Sequence, residues 1–202
     1  MDETAVTAEV YRLSDRAIIE RSRRDPEEFA ALYDRHAPAI HRYLARRLGR
    51  DLADDLMAET FLHAFGQRDR YDPERLNALP WLYGIATNLI GRHRRREVRF
   101  WRAVARTGAD PATGSADEGV ADRLAAEGVR PRLADALSRL NRGQRDVLLL
   151  TASGDLSPAE IGAALGIATG TVHSRLSRAR AAMRAALGGI DPLDMREEHH
   201  DG

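Results

Sequence analysis

Trp81, Tyr83 and Asn88 stand just before a run in which Arg92, Arg94, Arg95, Arg96, Arg99 and Arg102 are accompanied by a single acid, Glu97. Aromatic rings and an amide can stack on or hydrogen-bond an unpaired base, and guanidinium groups seek the phosphates beside it. This order of residue types suits a single or melted nucleic-acid strand. An amphipathic core helix with a solvated basic end would explain the arginines alone, but leaves the aromatic and amide residues without a task. A second surface lies near the C-terminus, where no acid occurs between Glu160 and Asp191. At about 100° per residue, Val172, Leu176, Ala179 and Met183 fall on one side of a helix, and Thr171, His173, Ser174, Ser177 and Arg178 form an arc on the other. Short hydroxyls, an imidazole and a guanidinium on such an arc can reach base edges and phosphates from a major groove. A third constellation is acidic: Asp55 and Glu59, four apart, share a helix face.

Enzymatic chemistry is poorly supplied. His36 and His41, or His199 and His200, could be drawn as metal ligands, and Asp55 and Glu59 beside His63 as an acid/base group, yet no His/Asp/Glu cluster has catalytic metal spacing. There is no glycine-rich phosphate loop. The reading is of a protein with no catalytic residue, no metal and no cofactor.

The elements that must position these residues all read as helical. Ser14 caps a helix over Asp15–Arg24. Asp25-Pro26-Glu27-Glu28 has the form of a capping box opening a long helix to Gly49, with Pro38 marking a kink or a break into two. Asp51 opens the helix that carries Asp55 and Glu59. Residues 67–79 read as a loop, and Pro80 opens a helix whose apolar period (Leu82, Ile85, Ala86, Leu89, then Val98, Trp101, Ala105) carries to about Arg106. Residues 107–120 are small, polar and proline-bearing, as a flexible linker is. A helix from Pro131 to Leu140 follows, then helices opened by Asn141 and Gln144, by Ser157-Pro158-Ala159-Glu160, and from Thr169 to Leu187. The last two are separated by only a few residues, the spacing of a helix-turn-helix. No stretch alternates as a strand would. The expectation is an all-α chain: a helical domain over 14–106, a flexible acidic linker over 107–130, a helix-turn-helix domain over 131–187 and a disordered acidic tail over 188–202.

The 202 residues hold 31 acids and 31 basic side chains, every one of the latter arginine, and their zero balance hides a pattern. Residues 67–107 hold ten arginines against four acids, and residues 131–187 eight against four. Two basic modules joined by an acidic connector suit two contacts on one polyanion, leaving the acidic parts for a protein partner. With no cysteine there are no disulfides. No apolar run is long enough to span a bilayer and the first residues lack the pattern of a signal peptide, so the expected place is the cytoplasm, without membrane insertion.

Three segments in order, Asp54-Asp55-Leu56-Met57-Ala58-Glu59-Thr60-Phe61, Trp81-Leu82-Tyr83-Gly84-Ile85-Ala86-Thr87-Asn88 and Gly170-Thr171-Val172-His173-Ser174-Arg175-Leu176-Ser177-Arg178-Ala179-Arg180, resemble bacterial RNA polymerase sigma factors of the extracytoplasmic-function group. The resemblance runs from about Asp15 to Leu187. It implies a transcription initiation factor that binds core RNA polymerase, with Asp55 and Glu59 on the clamp helices of the largest subunit and the second domain on the flap. It also implies that the first domain opens the minus-ten element through the Arg70–Asn77 loop, with Arg70, Asn77, Trp81, Tyr83 and Asn88 at the base and Arg92, Arg95 and Arg96 on phosphates. The minus-thirty-five element would be read as duplex by Thr171, His173, Ser174, Ser177 and Arg178. An anti-sigma factor is a further partner the resemblance leaves open, and a polymerase-independent helix-turn-helix regulator is the alternative. Two positions depart from the family's usual pattern: Ala58, where glutamine is common, and His173, where arginine or lysine often stands.

Overall fold

The computed structural model describes residues 13–107, 136, 137 and 139–186, with side chains described as far as Arg95 in the first stretch. Of the expected linker only Thr107, the last residue of the helix that begins at Leu79, is among these residues; the rest of it and the expected tail lie outside them. Among them there are α-helices and short 3-10 turns and no strand. The helices are α1 (Asp15–Ser22), α2 (Ala30–Leu48), α3 (Arg50–Gln67), α4 (Leu79–Thr107), α5 (Arg142–Ser153), α6 (Pro158–Leu165) and α7 (Thr169–Ala186). The chain divides into two compact units, with the main boundary between Phe100 and Trp101.

In the first unit the ends of the helices follow from their caps. Ser14 accepts from the Ala17 N–H at 3.3 Å and starts α1. Asp25 does not build the full capping box its sequence suggests. Its carboxylate accepts from Glu27 N at 3.2 Å, while the Glu28 carboxylate that the reciprocal bond would need pairs with Arg21. The chain makes a 3-10 turn over Pro26–Phe29 first, and α2 starts only at Ala30. Pro38 does not divide the segment, since α2 contains it. Gly49 is the single residue between α2 and α3, and its φ of 82° is a left-handed conformation that a side chain would strain.

Ile18 and Ile19 of α1, Leu32, Ile40, Tyr43 and Leu44 of α2, Leu56 and Phe61 of α3, and Leu82, Tyr83, Ala86 and Ile90 of α4 are buried. Edge-to-face ring pairs tie the helices: Phe29 with Phe65 at 5.3 Å and Tyr43 with Tyr83 at 5.1 Å. The Tyr43 hydroxyl also lies 2.7 Å from the Thr87 hydroxyl, which satisfies both inside the core.

One buried carboxylate connects the loop between α3 and α4 to the rest. Asp15 accepts from Arg35 Nη1 at 2.6 Å through Oδ1, and from His36 Nε2 and the Ala78 backbone N–H at 2.7 Å each through Oδ2. An ionised carboxylate only accepts, so the His36 Nε2 carries the proton. Burial pushes the Asp15 carboxyl upward, but the His36 hydrogen bond, the Ala78 N–H, the His36 charge and the Arg35 hydrogen bond together hold it below its ordinary 3.8. The loop is fastened at other points as well. Tyr71 donates its hydroxyl to the Arg75 carbonyl at 2.8 Å, and burial, with the Asp15 charge, pushes that hydroxyl up to about 12, so it remains a donor at neutral pH. Asn77 Oδ1 accepts from Leu79 N at 2.9 Å, at the first residue of α4.

The second unit is organised by reciprocal caps. Asn141 and Gln144 exchange bonds of 3.0 and 3.1 Å to open α5, and Ser157 and Glu160 do the same, at 3.3 and 2.8 Å, for α6. Ala136, Leu140, Leu148, Ala179 and Met183 form a core that draws the turn before α5 onto α5 and α7. Arg145 donates to the carbonyls of Leu137 and Leu140, both at 2.9 Å, and holds that turn. Between α6 and α7, Gly166 ends α6 at φ 65°, and Ile167 N donates to the Gly162 carbonyl at 2.9 Å. The approach is close: a Cβ on Gly162 would lie 2.8 Å from the Ile167 carbonyl oxygen. The α6–α7 pair is thus a helix-turn-helix.

Two outcomes follow from this packing. Asp15→Asn removes the buried negative charge that Arg35, His36 and the Ala78 N–H share, and is expected to lower unfolding free energy by about 3 kcal/mol. Because the native Asp15 pKa lies below its unfolded value, the stabilisation is full above about pH 4 and is lost as pH falls through the native pKa; urea midpoints against pH should show less acid sensitivity in Asp15→Asn than in the parent. Tyr83→Ala is expected to cost about 3–5 kcal/mol and Tyr83→Phe at most about 1.5 kcal/mol, read by thermal or urea unfolding.

Candidate nucleic-acid interface

Along α4, Trp81, Asn88, Arg92 and Arg95 are seven, four and three residues apart, which places them within an arc of about 60° and along roughly 20 Å of helix. Asn88, Arg92 and Arg95 are exposed. Trp81 is half-buried, its ring 5.1 Å from Tyr71 at 58°, so the indole has a backing that fixes its orientation. The result is a strip with one aromatic, one amide and two guanidinium groups. Arg96 has its backbone in the same helix, but its side chain lies outside those described.

Tyr83 does not belong to this strip. It is fully buried, edge-on to Tyr43, and stands about 200° around the helix from Trp81. It fills the core and offers no ring to a nucleic acid. On the wheel Leu82, Ala86, Leu89 and Ile90 span the apolar side, and Tyr83 falls at its edge, about 20° beyond Ile90. Asn77 and Arg70 are exposed at the loop, with the Asn77 oxygen engaged in starting α4. What sequence reasoning missed is the fastening of this loop by Asp15 and Tyr71. No spacing signals a carboxylate more than sixty positions away from the N–H it accepts from.

In the second unit, His173, Ser174, Ser177 and Arg178 are exposed on α7, Thr171 is half-buried, and Val172, Ala179 and Met183 are buried. The tight turn at Gly166, closed by the contact of Ile167 with Gly162, sets α7 against α6 so that this arc faces outward. Arg175 points differently from its neighbours: a Cβ at Gly143 would lie 2.7 Å from its Nη1, so its guanidinium rests on the start of α5.

The acidic face of α3 is also open. Asp55 and Ala58 are exposed, Glu59 is half-exposed with its carboxylate 3.5 Å from His63 Nε2, and Leu62, on the same face, is 71% exposed. Asp54 instead turns to His41, 3.1 Å away. Among the described residues no group of three or more His, Cys, Asp or Glu could hold a metal ion, and no helix is long and apolar enough to cross a membrane.

Residues 32–107 match Sigma-70 region 2, and residues 130–183 match Sigma-70, region 4. The chain is 35% identical over 158 residues to the ECF RNA polymerase sigma factor SigL of Mycobacterium tuberculosis, covering 78% of this chain and 87% of that one. It is 33% identical over 169 residues to the RNA polymerase sigma factor CarQ of Myxococcus xanthus, covering 82% and 92%. In three dimensions it is similar to CnrH, solved in complex with the cytosolic domain of CnrY, with a TM-score of 0.61 and 27% identity over 86% of this chain and 97% of that one. With both regions matched in order and relatives of this similarity along most of its length, the chain belongs to the extracytoplasmic-function group of sigma-70 RNA polymerase sigma factors.

Proposed function

We propose that this sigma factor divides promoter reading between its two units, a melting domain over 14–106 and a duplex-reading domain over 131–187. The first captures the unpaired minus-ten strand with Arg70, Asn77, Trp81 and Asn88, and holds its phosphates with Arg92, Arg95 and Arg96. The second lays α7 in the major groove of the minus-thirty-five element and reads it with Thr171, His173, Ser174, Ser177 and Arg178. The observation that carries this reading is the α4 strip, where a backed indole, an exposed amide and guanidinium groups follow one another on a single rigid helix. Unstacking a base costs a few kcal/mol, which stacking on an aromatic and hydrogen bonds to the extruded edge offset. A duplex-binding regulator that works without polymerase would use α7 and leave that strip idle.

Asp55 and Glu59 present the carboxylates for docking on the clamp helices of the polymerase's largest subunit, with the second unit on the flap. The polymerase performs the nucleotidyl transfer, so the sigma factor itself needs neither cofactor nor catalytic group. Its place of work is the cytoplasm. The similarity to CnrH, whose solved structure holds the cytosolic domain of CnrY, supports a protein partner of the anti-sigma kind here.

Run-off transcription with core RNA polymerase from a closely related bacterium, on a pool of genomic promoter fragments, checks the assignment. Transcripts from defined start sites are expected only when the protein is added. Trp81→Ala and Asn88→Ala are each expected to lower strand opening about ten-fold while leaving affinity for the duplex upstream element unchanged. Arg178→Ala is expected to weaken that duplex affinity by about 1–3 kcal/mol. Unchanged transcription by all three variants would overturn the site assignment.

A further inference from the structure

The acidic face of α3 carries two histidines whose placement its composition does not announce. At about 100° per residue the exposed Leu62 stands at the middle of the face, with Asp51 and Asp55 about 20° to either side. Asp54 and Glu59 lie farther out, about 80° one way and about 60° the other. Each of these two outer carboxylates has an imidazole beside it. His41 of α2 places its Nε2 3.1 Å from Asp54 Oδ1, and His63, one turn on from Glu59, places its Nε2 3.5 Å from Glu59 Oε1. The two imidazoles are 34% and 37% exposed, so solvent protons reach them.

Histidine is the side chain whose charge ordinarily changes between roughly pH 5 and 8. An ionised carboxylate has no hydrogen to give, so the Nε2 turned to it carries one in the neutral ring and the charging proton is taken up at Nδ1. The pair stays in place while its charge changes. The other charged groups around His41 are Arg42 beside it and Asp34 two turns earlier on α2, and Asp51 one turn before Asp54 on α3. His63 has Asp55 before Glu59 on its own helix and Arg68 beyond it. Arg68 is occupied elsewhere, 3.9 Å over the Phe65 ring and donating to the Ser22 and Phe65 carbonyls. Among the described residues no group of another helix forms an ion pair with His63.

We propose that His41 and His63 set the strength with which α3 docks on core RNA polymerase and make that docking sensitive to protons. The proposal rests on the reading of α3 as the polymerase-docking helix and adds its regulation. Residues 51–67 hold four carboxylates and no arginine, a charge that attracts a basic protein surface. Protonated rings at Asp54 and Glu59 offset two of the four and bring positive charge toward that same surface. Docking therefore favours the neutral rings, the complex binds fewer protons than the free chain, and affinity rises with pH. The apolar contact of Leu62 does not titrate and persists across the range.

The test measures the dissociation constant of the full chain, fluorescently labelled, for core RNA polymerase from a closely related bacterium at about pH 6, 7 and 8 and fixed ionic strength. The polymerase's own titration affects every variant alike, so the readout is the ratio of variant to parent affinity at each pH. For His41→Gln with His63→Gln, which keeps an amide donor for each carboxylate and cannot become charged, this ratio is expected to rise about ten-fold from pH 8 to pH 6. Each single variant is expected to give about three-fold, and the effect should shrink at high salt. His63→Gln leaves the contact between α2 and α3 intact, so it decides the matter by itself if His41→Gln lowers the thermal midpoint. A ratio for His63→Gln that is the same at pH 6 and pH 8, with the parent binding core, overturns the proposal. A parent that binds no core at any pH removes the docking reading itself, and this regulation with it.

Discussion

The buried Asp15 carboxylate is the interaction on which the first unit's working surface depends. It joins α1, where it resides, to α2 through Arg35 and His36, and to the entrance of α4 through the Ala78 N–H. A charge taken out of water is costly unless its lone pairs are satisfied, and three donors at 2.6–2.7 Å satisfy them. The consequence is positional. The first turn of α4 cannot shift without breaking a charge-assisted bond, so the loop ahead of it and Trp81 behind it inherit a fixed geometry. Trp81 then has Tyr71 at its back, and Tyr71 holds the loop through the Arg75 carbonyl.

The second unit solves a similar problem with backbone and glycine instead of buried charge. Its helix-turn-helix is held by reciprocal caps at α5 and α6, by the contact between Gly162 and Ile167, and by a small apolar core under α7. Each unit thus carries a rigid helix with one face packed and another exposed. They differ in what that outer face displays: an aromatic and amide strip with arginines on α4, and short polar side chains with one arginine on α7. The difference in chemistry matches the difference between an unpaired strand, which offers π-faces, and a duplex, which offers groove edges.

Much of this was legible in the chain because the signals are local. Ser14, Asn141 and Ser157 cap the helices their sequence context announces, and the outward arc of α7 follows from the period of Val172, Ala179 and Met183. Where local patterns compete, they misled. Asp25 and Glu28 look like a capping box, but Arg21 takes the Glu28 carboxylate and a 3-10 turn results. Of the kink or break that Pro38 suggests, the break does not occur, since α2 contains the residue. Tyr83 goes with Trp81 by residue type, although the angle between them on α4 puts it in the core. Asp15 was unreadable for another reason: its partners are distant in sequence, and nothing in the spacing announces a tertiary hydrogen bond to Ala78.

The central claim is that the outer face of α4 meets an unpaired strand and the outer face of α7 meets a duplex. It is tested most directly by placing a photo-crosslinking amino acid at position 92 or 174 in the holoenzyme and mapping the crosslinked nucleotides on an opened promoter. The account predicts crosslinks from position 92 to the melted minus-ten strand and from position 174 to the duplex minus-thirty-five element. Crosslinks from both positions to one duplex segment, or from position 92 to polymerase alone, would contradict it.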